Sequence, residues 1–254
     1  MFLDAIVADV DERVRRLLPV AKYLRAEAEG MPPVRSLRKA LLEPGLSVIA
    51  ECKQKSPSKG WLTDHYDPEA QALRYERDGA SAVSVLTEPH HFAGDLAHLA
   101  AVRSAVSLPV LRKDFVRHPV QLFEARVNRA DAVLLIVRIV DDAELKDLID
   151  TAVGIGLEVL VEIHSAEEAE RAVALNPAIV GVNNRDLDSF ETQLEFSRDM
   201  ASVLPKHMLW VSESGIADAA DLAQVESWGY EAVLVGESLM RGGNLLSEWA
   251  HDHS

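Results

Sequence analysis

The chain has 254 residues, of which 48% are hydrophobic and 26% charged, so it can build one large core under an ordinary water-exposed surface. With 41 acidic against 26 basic residues its formal net charge is −15, which excludes nucleic acid as a natural partner but leaves room for a small anion in a locally positive pocket. One cysteine, Cys52, excludes an intramolecular disulfide framework, and the acid-bearing start MFLDAIVADVDERVRR has neither a signal peptide nor the roughly 18-residue apolar run of a membrane span, so a cytoplasmic protein is expected.

Residues 1–46 come first and stand outside the pattern of the rest. Val7 to Leu18 has helical spacing, and SLRKALLEPG (36–45) reads as a short helix stopped by Pro44 and Gly45. The segment is too small for a domain. It reads as an N-terminal helical extension, a plug over one end of a body formed by residues 47–254, the whole chain 1–254 being a single domain.

Eight short apolar runs follow: SVIAE (47–51), SAVSVL (81–86), LPVLRKD (108–114), DAVLLIV (131–137), LEVLVEI (157–163), AIVGVN (178–183), MLWVSE (208–213) and EAVLVGE (231–237). Between them lie stretches of helical spacing, among them Pro68 to Asp78, Leu96 to Val106, Asp142 to Val153, Ala166 to Leu175 and Ala217 to Trp228. Continuous apolar strands alternating with helices predict an α/β protein with a parallel sheet covered by helices. Eight repeats predict a single (β/α)8 TIM barrel. An open dinucleotide-binding sheet would carry a glycine-rich turn after its first strand; here SPSKG follows, which is neither that turn nor a Walker loop.

The polar residues fall at the strand ends: Glu51 and Lys53, Thr87 and Glu88, Lys113 and Asp114, Glu162 and His164, Asn183 and Arg185, Glu213 and Ser214, Gly236 and Glu237. That is the C-terminal rim, where barrel enzymes carry their chemistry, so the pattern predicts an active site rather than a catalytically inert barrel. Glu51 and Lys53 are two apart and face the same side, as a functional pair or as a structural ion pair. A lysine at Lys113 in a partly dry site is expected to have a lowered pKa and to donate a proton near neutrality, while Asp114 points the other way as a structural acceptor. Glu162 ends an otherwise apolar strand and is the candidate base. His164 reads as a solvent contact or a helper in capping the helix at Ser165. Arg185 either meets a substrate anion or ties its loop to Asp186 or Asp188.

ESG (213–215) and VGES (235–238) suit a phosphate held by backbone N–H groups, with Ser56 and Lys55 or Lys59 as a third arm. Only eight lysines occur in the chain, so three within Lys53 to Lys59 form a local device: Lys53 for the reacting centre, the SPSKG loop for the anion, Lys59 the most solvent-facing. The histidines lack metal-ligand spacing, with His90, His91 and His98 in a loop and the next helix and His251 and His253 in a frayed tail. Neither a metal nor a cofactor is expected.

In the order IAECKQKSPSKG, SVLTEPHHFAGDL, LPVLRKDF, ADAVLLIV, LVEIH, GVNNRDL, VSESGI and AVLVGESLM, these motifs resemble the indole-3-glycerol phosphate synthase family from about Val34 to Met240. Phosphoribosylanthranilate isomerase, a related barrel, lacks the KxxSPSKG and LRKDF combination. The resemblance implies conversion of 1-(2-carboxyphenylamino)-1-deoxyribulose 5-phosphate to indole-3-glycerol phosphate with loss of CO2 and water, without cofactor or metal. It implies Lys113 as general acid, Glu162 as base or proton shuttle, and Lys53 as the contact to the substrate carboxylate that assists proton transfer. Glu51 and Asn183 orient those groups and a substrate hydroxyl; Arg185, Glu213 and Ser214 complete the wall. Ser56, Gly215, Gly236, Glu237 and Ser238 match the phosphate site, and Phe92, Phe115, Leu134, Leu187 and Leu234 the apolar contacts to the substrate. Asp95 stands where many members carry Ser at a helix start, and Glu237 where a small hydroxyl residue is common. Turned inward, Glu237 would repel the ligand. The alternatives are another phosphosugar barrel, such as an aldolase with Lys113 or Lys53 as Schiff-base nucleophile, and a non-catalytic barrel partner within a tryptophan-pathway complex. No obligate protein partner is implied.

Overall fold

The computed structural model describes residues 2–187, 189–240 and 245–252. Eight parallel strands close into a barrel: β1 (Ser47–Cys52), β2 (Ala82–Leu86), β3 (Val110–Lys113), β4 (Ala132–Ile136), β5 (Glu158–Ile163), β6 (Ile179–Asn183), β7 (Leu209–Glu213) and β8 (Ala232–Val235). Closure is made by β1, which pairs Ser47 to Ala50 with Ala232 to Val235 on one side and Ile49 to Cys52 with Ala82 to Val85 on the other. Nearly every strand residue is buried, as the unbroken apolar runs require of a sheet covered on both faces.

The helices begin where the local chemistry tells them to. Asp67 caps α4 (Pro68–Arg77), Asp95 caps α5 (Leu96–Ala105), and Ser165 caps α8 (Ala166–Ala174), each accepting a backbone N–H of the first turn. Asp141 and Glu144 form a reciprocal capping box at α7 (Asp142–Gly154), and His118 with Gln121 does the same at α6 (Pro119–Val127). Asp95 therefore does the work of the more usual Ser. After β6 the helix is short, α9 (Glu195–Met200); α10 (Ala219–Ser227), the single turn α11 (Glu237–Met240) and α12 (Leu245–Asp252) complete the circuit. His251 lies within α12 rather than in a frayed tail; His253 is outside the described residues.

The N-terminal extension covers one barrel end, as expected, and reaches further. Its first helix, α1 (Phe2–Leu17), starts five residues before Val7 and brings Phe2, Leu3 and Ile6 to the C-terminal mouth of the barrel. The second, α2 (Ala21–Glu29), packs along α6 on the barrel's side. The chain then passes beneath the barrel. Arg35 N donates to Asp131 at 2.8 Å, Ser36 Oγ and Arg38 N each donate to Glu158 at 2.6 Å, and α3 (Leu37–Leu41) abuts β1 and β2. One segment thus closes the mouth and also touches the far end and one flank, a strap as well as a stopper. Among the described residues no helix is long and apolar enough to cross a membrane.

Candidate active site

At the C-terminal mouth lies a cavity of about 420 Å³ lined by the expected catalytic and substrate-contact residues from Glu51 to Ser238, but by neither Lys55 nor Lys59, the offered counter-charges of the phosphate arm; Lys55 Nζ stands over the Trp61 ring instead, at 5.8 Å. The strands deliver them by alternation: a side chain two residues from another shares its face, so Glu51 and Lys53, or Glu162 within β5, point inward while their neighbours pack outward. Asp114 follows this rule. Its backbone borders the cavity, but its carboxylate accepts from Arg112 (2.9 Å), Thr87 (2.7 Å) and the two terminal guanidinium nitrogens of Arg13 (2.8 and 3.1 Å). Burial works against its ionisation, but Arg112 and Arg13 prevail and hold its carboxyl well below the usual range. Glu88, also at a strand end, serves the scaffold too: it accepts the backbone N–H groups of His90, His91 and Phe92 and so shapes the loop that presents Phe92.

On the cavity floor Lys113 Nζ donates to Glu162 Oε2 at 2.9 Å and to Glu213 Oε2 at 2.8 Å. Burial opposes the ammonium charge, yet Glu162, Glu213 and Glu51 outweigh it and raise the lysine above its ordinary range. This reverses the lowered pKa expected from a dry site alone: the lysine is dry, but two carboxylates surround it. Burial also opposes the charge of Glu162, and Lys113 and His164 beside it keep it ionised, well below the usual carboxylate range. Glu213 is pushed up to about 8, by burial and then by the charge of Glu162, against the pull of Lys113. Across the cavity Lys53 Nζ donates to Glu51 Oε1 at 2.5 Å.

Two glycines make room for these carboxylates. A Cβ at Gly181 would stand 2.1 Å from Glu213 Oε1, and one at Gly236 would stand 2.5 Å from Glu51 Oε1. Gly181 was not among the expected site residues, nor was Asn184. The Asn184 amide donates at 3.0 Å to Ser212 Oγ and to the carbonyls of Glu213 and Ser214, fixing the end of β7 from outside. The doubled asparagine in VNNRD was the available signal, since alternation must send Asn183 in and Asn184 out. Asn183 Oδ1 accepts Arg185 N at 3.0 Å, shaping the following loop.

His164 corrects the sequence reading. Its side chain is 1% exposed, with Nε2 3.2 Å from Glu162 and Nδ1 3.5 Å from Glu168, so it is not a solvent contact. The capping role falls instead to Ser165, and it is the His164 backbone N–H that Glu168 accepts, at 2.7 Å.

An apolar wall runs from Phe92 and Phe115, whose rings lie 6.2 Å apart, through Leu134, Leu187 and Leu234. Phe2, Leu3 and Ile6 of α1 and Phe190 close it from above, Phe2 meeting Phe190 edge-on at 5.0 Å. The opposite end is polar: Ser56, Gly215, Gly236 and Ser238 converge there, and Ser214 and Gly215 hold the left-handed backbone of the rim at φ 66 and 84. The SPSKG loop is a hairpin in which Lys55–Ser56 pairs with Gly60–Trp61, and Ser56 Oγ accepts the Lys59 N–H at 3.2 Å. Glu237 faces Lys59 at 4.0 Å and Arg185 at 3.6 Å, so its carboxylate is turned toward the cations. Arg185 ties loops together through Ser58 Oγ and Phe190 O, both 3.3 Å from it. Asp186 pairs with Arg138 instead, at 3.6 Å, and Asp188 is outside the described residues. Among the described residues no group of three or more His, Cys, Asp and Glu is placed to hold a metal ion.

The sequence model of the indole-3-glycerol phosphate synthase family matches residues 3–249, further in both directions than the motifs alone, and takes in α1. Indole-3-glycerol phosphate synthase of Carboxydothermus hydrogenoformans is 44% identical over 251 residues, which is 95% of each chain. That of Desulfotalea psychrophila is 46% identical over 252 residues, 97% of each chain, and that of a Roseiflexus species 46% over 246 residues, 93% of this chain and 91% of the relative. With a closed eightfold barrel and relatives of this similarity along its length, the chain belongs to the indole-3-glycerol phosphate synthase family, the carboxy-lyases of tryptophan biosynthesis.

Proposed function

We propose that this cavity carries out the family's reaction with the residues of its floor in distinct roles, Lys113 donating to the ketone oxygen of 1-(2-carboxyphenylamino)-1-deoxyribulose 5-phosphate. The observation that carries this reading is the Lys113 ammonium held 2.9 Å from Glu162 and 2.8 Å from Glu213, between an apolar wall and a polar rim. Protonation of the ketone oxygen makes its carbon electrophilic toward the ring carbon that bears the carboxylate. The new carbon–carbon bond forms, CO2 departs with its bonding pair restoring the benzene ring, the hydroxyl takes a proton and leaves as water, and the methylene carbon beside the nitrogen loses a proton to complete the indole. Lys53 meets the departing carboxylate and assists the dehydration, with Glu51 holding its ammonium; Glu162 takes the final proton. Asn183 and Ser214 orient the substrate hydroxyls, and Ser56 with the rim at Gly215, Gly236 and Ser238 holds the phosphate. Positioned acids and bases contribute ~10²–10⁴-fold each, and pinning both ends of the substrate adds orientation. A Schiff-base aldolase is disfavoured on this floor, because a lysine must be neutral to attack a carbonyl and Lys113 is held charged.

The test is indole fluorescence on mixing the purified protein with this substrate. A signal that Lys113→Ala abolishes supports the assignment; full turnover by that variant removes Lys113 as the acid.

A further inference from the structure

Two carboxylates share one lysine on the floor of the cavity, and Lys113 alone gives no reason why one rather than the other should stay ionised: its distances to Glu162 and Glu213 differ by a tenth of an ångström. What differs is the other side of each carboxylate. Glu213 Oε1 is buried without a hydrogen-bond partner, pressed toward Gly181. Glu162 Oε1 lies 3.2 Å from the Nε2 of His164.

We propose that His164 is a positioning residue whose imidazolium, held between Glu162 and Glu168, selects Glu162 over Glu213 as the carboxylate that stays ionised beside Lys113. The proposal rests on the reading of Glu162 as the group that takes the proton.

The ring is set between two acceptors. Both nitrogens are buried, Nε2 facing Glu162 and Nδ1 facing Glu168 at 3.5 Å, and neither contact has the alignment of a hydrogen bond. A neutral imidazole would turn a bare lone pair on one of the two carboxylates, whereas the doubly protonated ring attracts both. The surrounding charges keep that state in balance. Behind Glu168, Arg138 donates from Nε at 2.8 Å and also reaches Asp186 at 3.6 Å; beyond Glu162 stand Lys113 and Glu213. With Arg138 answering Glu168, the imidazolium is left to answer Glu162. Consistent with this geometry, burial opposes the ring's charge but Glu162 and then Glu168 raise it to about 9. The relay Lys113, Glu162, His164, Glu168, Arg138 runs from the cavity floor to the start of α8, so the proton-accepting carboxylate is fixed to a helix terminus.

The experiment is the pH dependence of turnover for wild type and His164→Gln, followed by indole fluorescence. Loss of a positive charge at ion-pair distance is expected to move the acid limb of the kcat profile up by about one pH unit. Because the proton kept on Glu213 can then pass to Glu162, kcat at pH 7 is expected to fall about tenfold, with KM within about twofold of wild type. A profile superimposable on wild type, with only the thermal midpoint lowered, overturns the proposal and leaves His164 a packing residue. Nitrogen NMR of the wild-type imidazoles gives a readout that needs no variant to fold: a doubly protonated His164 at pH 7.5 is expected, and a neutral ring there overturns the proposal. Glu162→Gln separates the two levels. Wild-type turnover by that variant overturns the reading of Glu162 itself, whereas lost turnover with His164 now titrating lower supports both.

Discussion

Arg13 and Asp114, 101 residues apart, form a two-pronged ion pair, Arg13 Nη2 to Oδ1 at 2.8 Å and Nη1 to Oδ2 at 3.1 Å. Asp114 is the next residue after Lys113, and alternation along the strand sends the lysine into the cavity and the aspartate out to α1. The helix that closes the mouth with Phe2, Leu3 and Ile6 is therefore fastened to the backbone that carries the proposed acid. Arg13→Ala should lower stability by ~2 kcal/mol, less than a fully orphaned buried charge, because Arg112 still answers Asp114. It should also raise KM as the apolar roof loosens. Thermal unfolding and steady-state kinetics check both, with Arg16→Ala, whose ion pair is to exposed Glu12, as the comparison. An unchanged midpoint and KM would show that the clamp does not hold the roof.

Lys113→Ala should lower kcat by at least ~10²-fold with a smaller change in KM, since the lost interaction is made to the reacting oxygen. Activity within tenfold of wild type would assign the acid elsewhere. Circular dichroism should remain that of the wild-type barrel, because His164 still stands 3.2 Å from Glu162 and burial favours the neutral form of Glu213.

Glu213 supplies a pH signature. Its folded-state value near 8 lies above its ordinary 4.5, so the folded chain binds the extra proton between those limits. Its contribution to stability is full below about 4.5 and is lost as pH rises through about 8. Ionisation above that point also places a second negative charge on Lys113, tightening the lysine's hold on the proton it must give. kcat should therefore decline above pH 8. Glu213→Gln, locked in the neutral shape, should flatten that limb, lower kcat near pH 6 by less than ~tenfold, and unfold at a higher temperature than wild type at pH 9. A limb that survives in Glu213→Gln would belong to another group.

The barrel was legible because a parallel sheet buried on both faces writes itself as apolar runs with polar ends, and the rim residues could be read from those ends. What escaped depends on distance in the chain. The charge of Lys113 is set by Glu162 and Glu213, 49 and 100 residues away, and a local reading of dryness alone gives the opposite sign. His164 follows the strand rather than ending it, and only the turn into α8 swings its ring between Glu162 and Glu168. The periodicity of α1 showed a helix, but whether such a helix lies along a barrel or across its mouth is decided by Arg13 meeting Asp114. Gly181 matters through the carboxylate of another strand, which no spacing within GVNNRD reveals.

Glu237 stands at the polar rim with its carboxylate 3.6 Å from Arg185 and 4.0 Å from Lys59, the cations on either side of the proposed phosphate position. A dianion entering there meets a carboxylate already engaged with its own counter-charges. Binding must turn Glu237 away or share the cations with it, and either lowers affinity. Both partners remain partly exposed, so solvent screens the effect and the expected change is modest. Glu237→Gln keeps the size and removes the charge; KM should fall about two- to fivefold with kcat nearly constant, and more so at low salt. Ser56→Ala at the same rim should act in the opposite sense, raising KM through a lost hydroxyl donor while sparing kcat. Steady-state kinetics at two ionic strengths distinguish the cases. If Glu237→Gln raises KM instead, the carboxylate is organising Arg185 and Lys59 for the phosphate rather than competing with it.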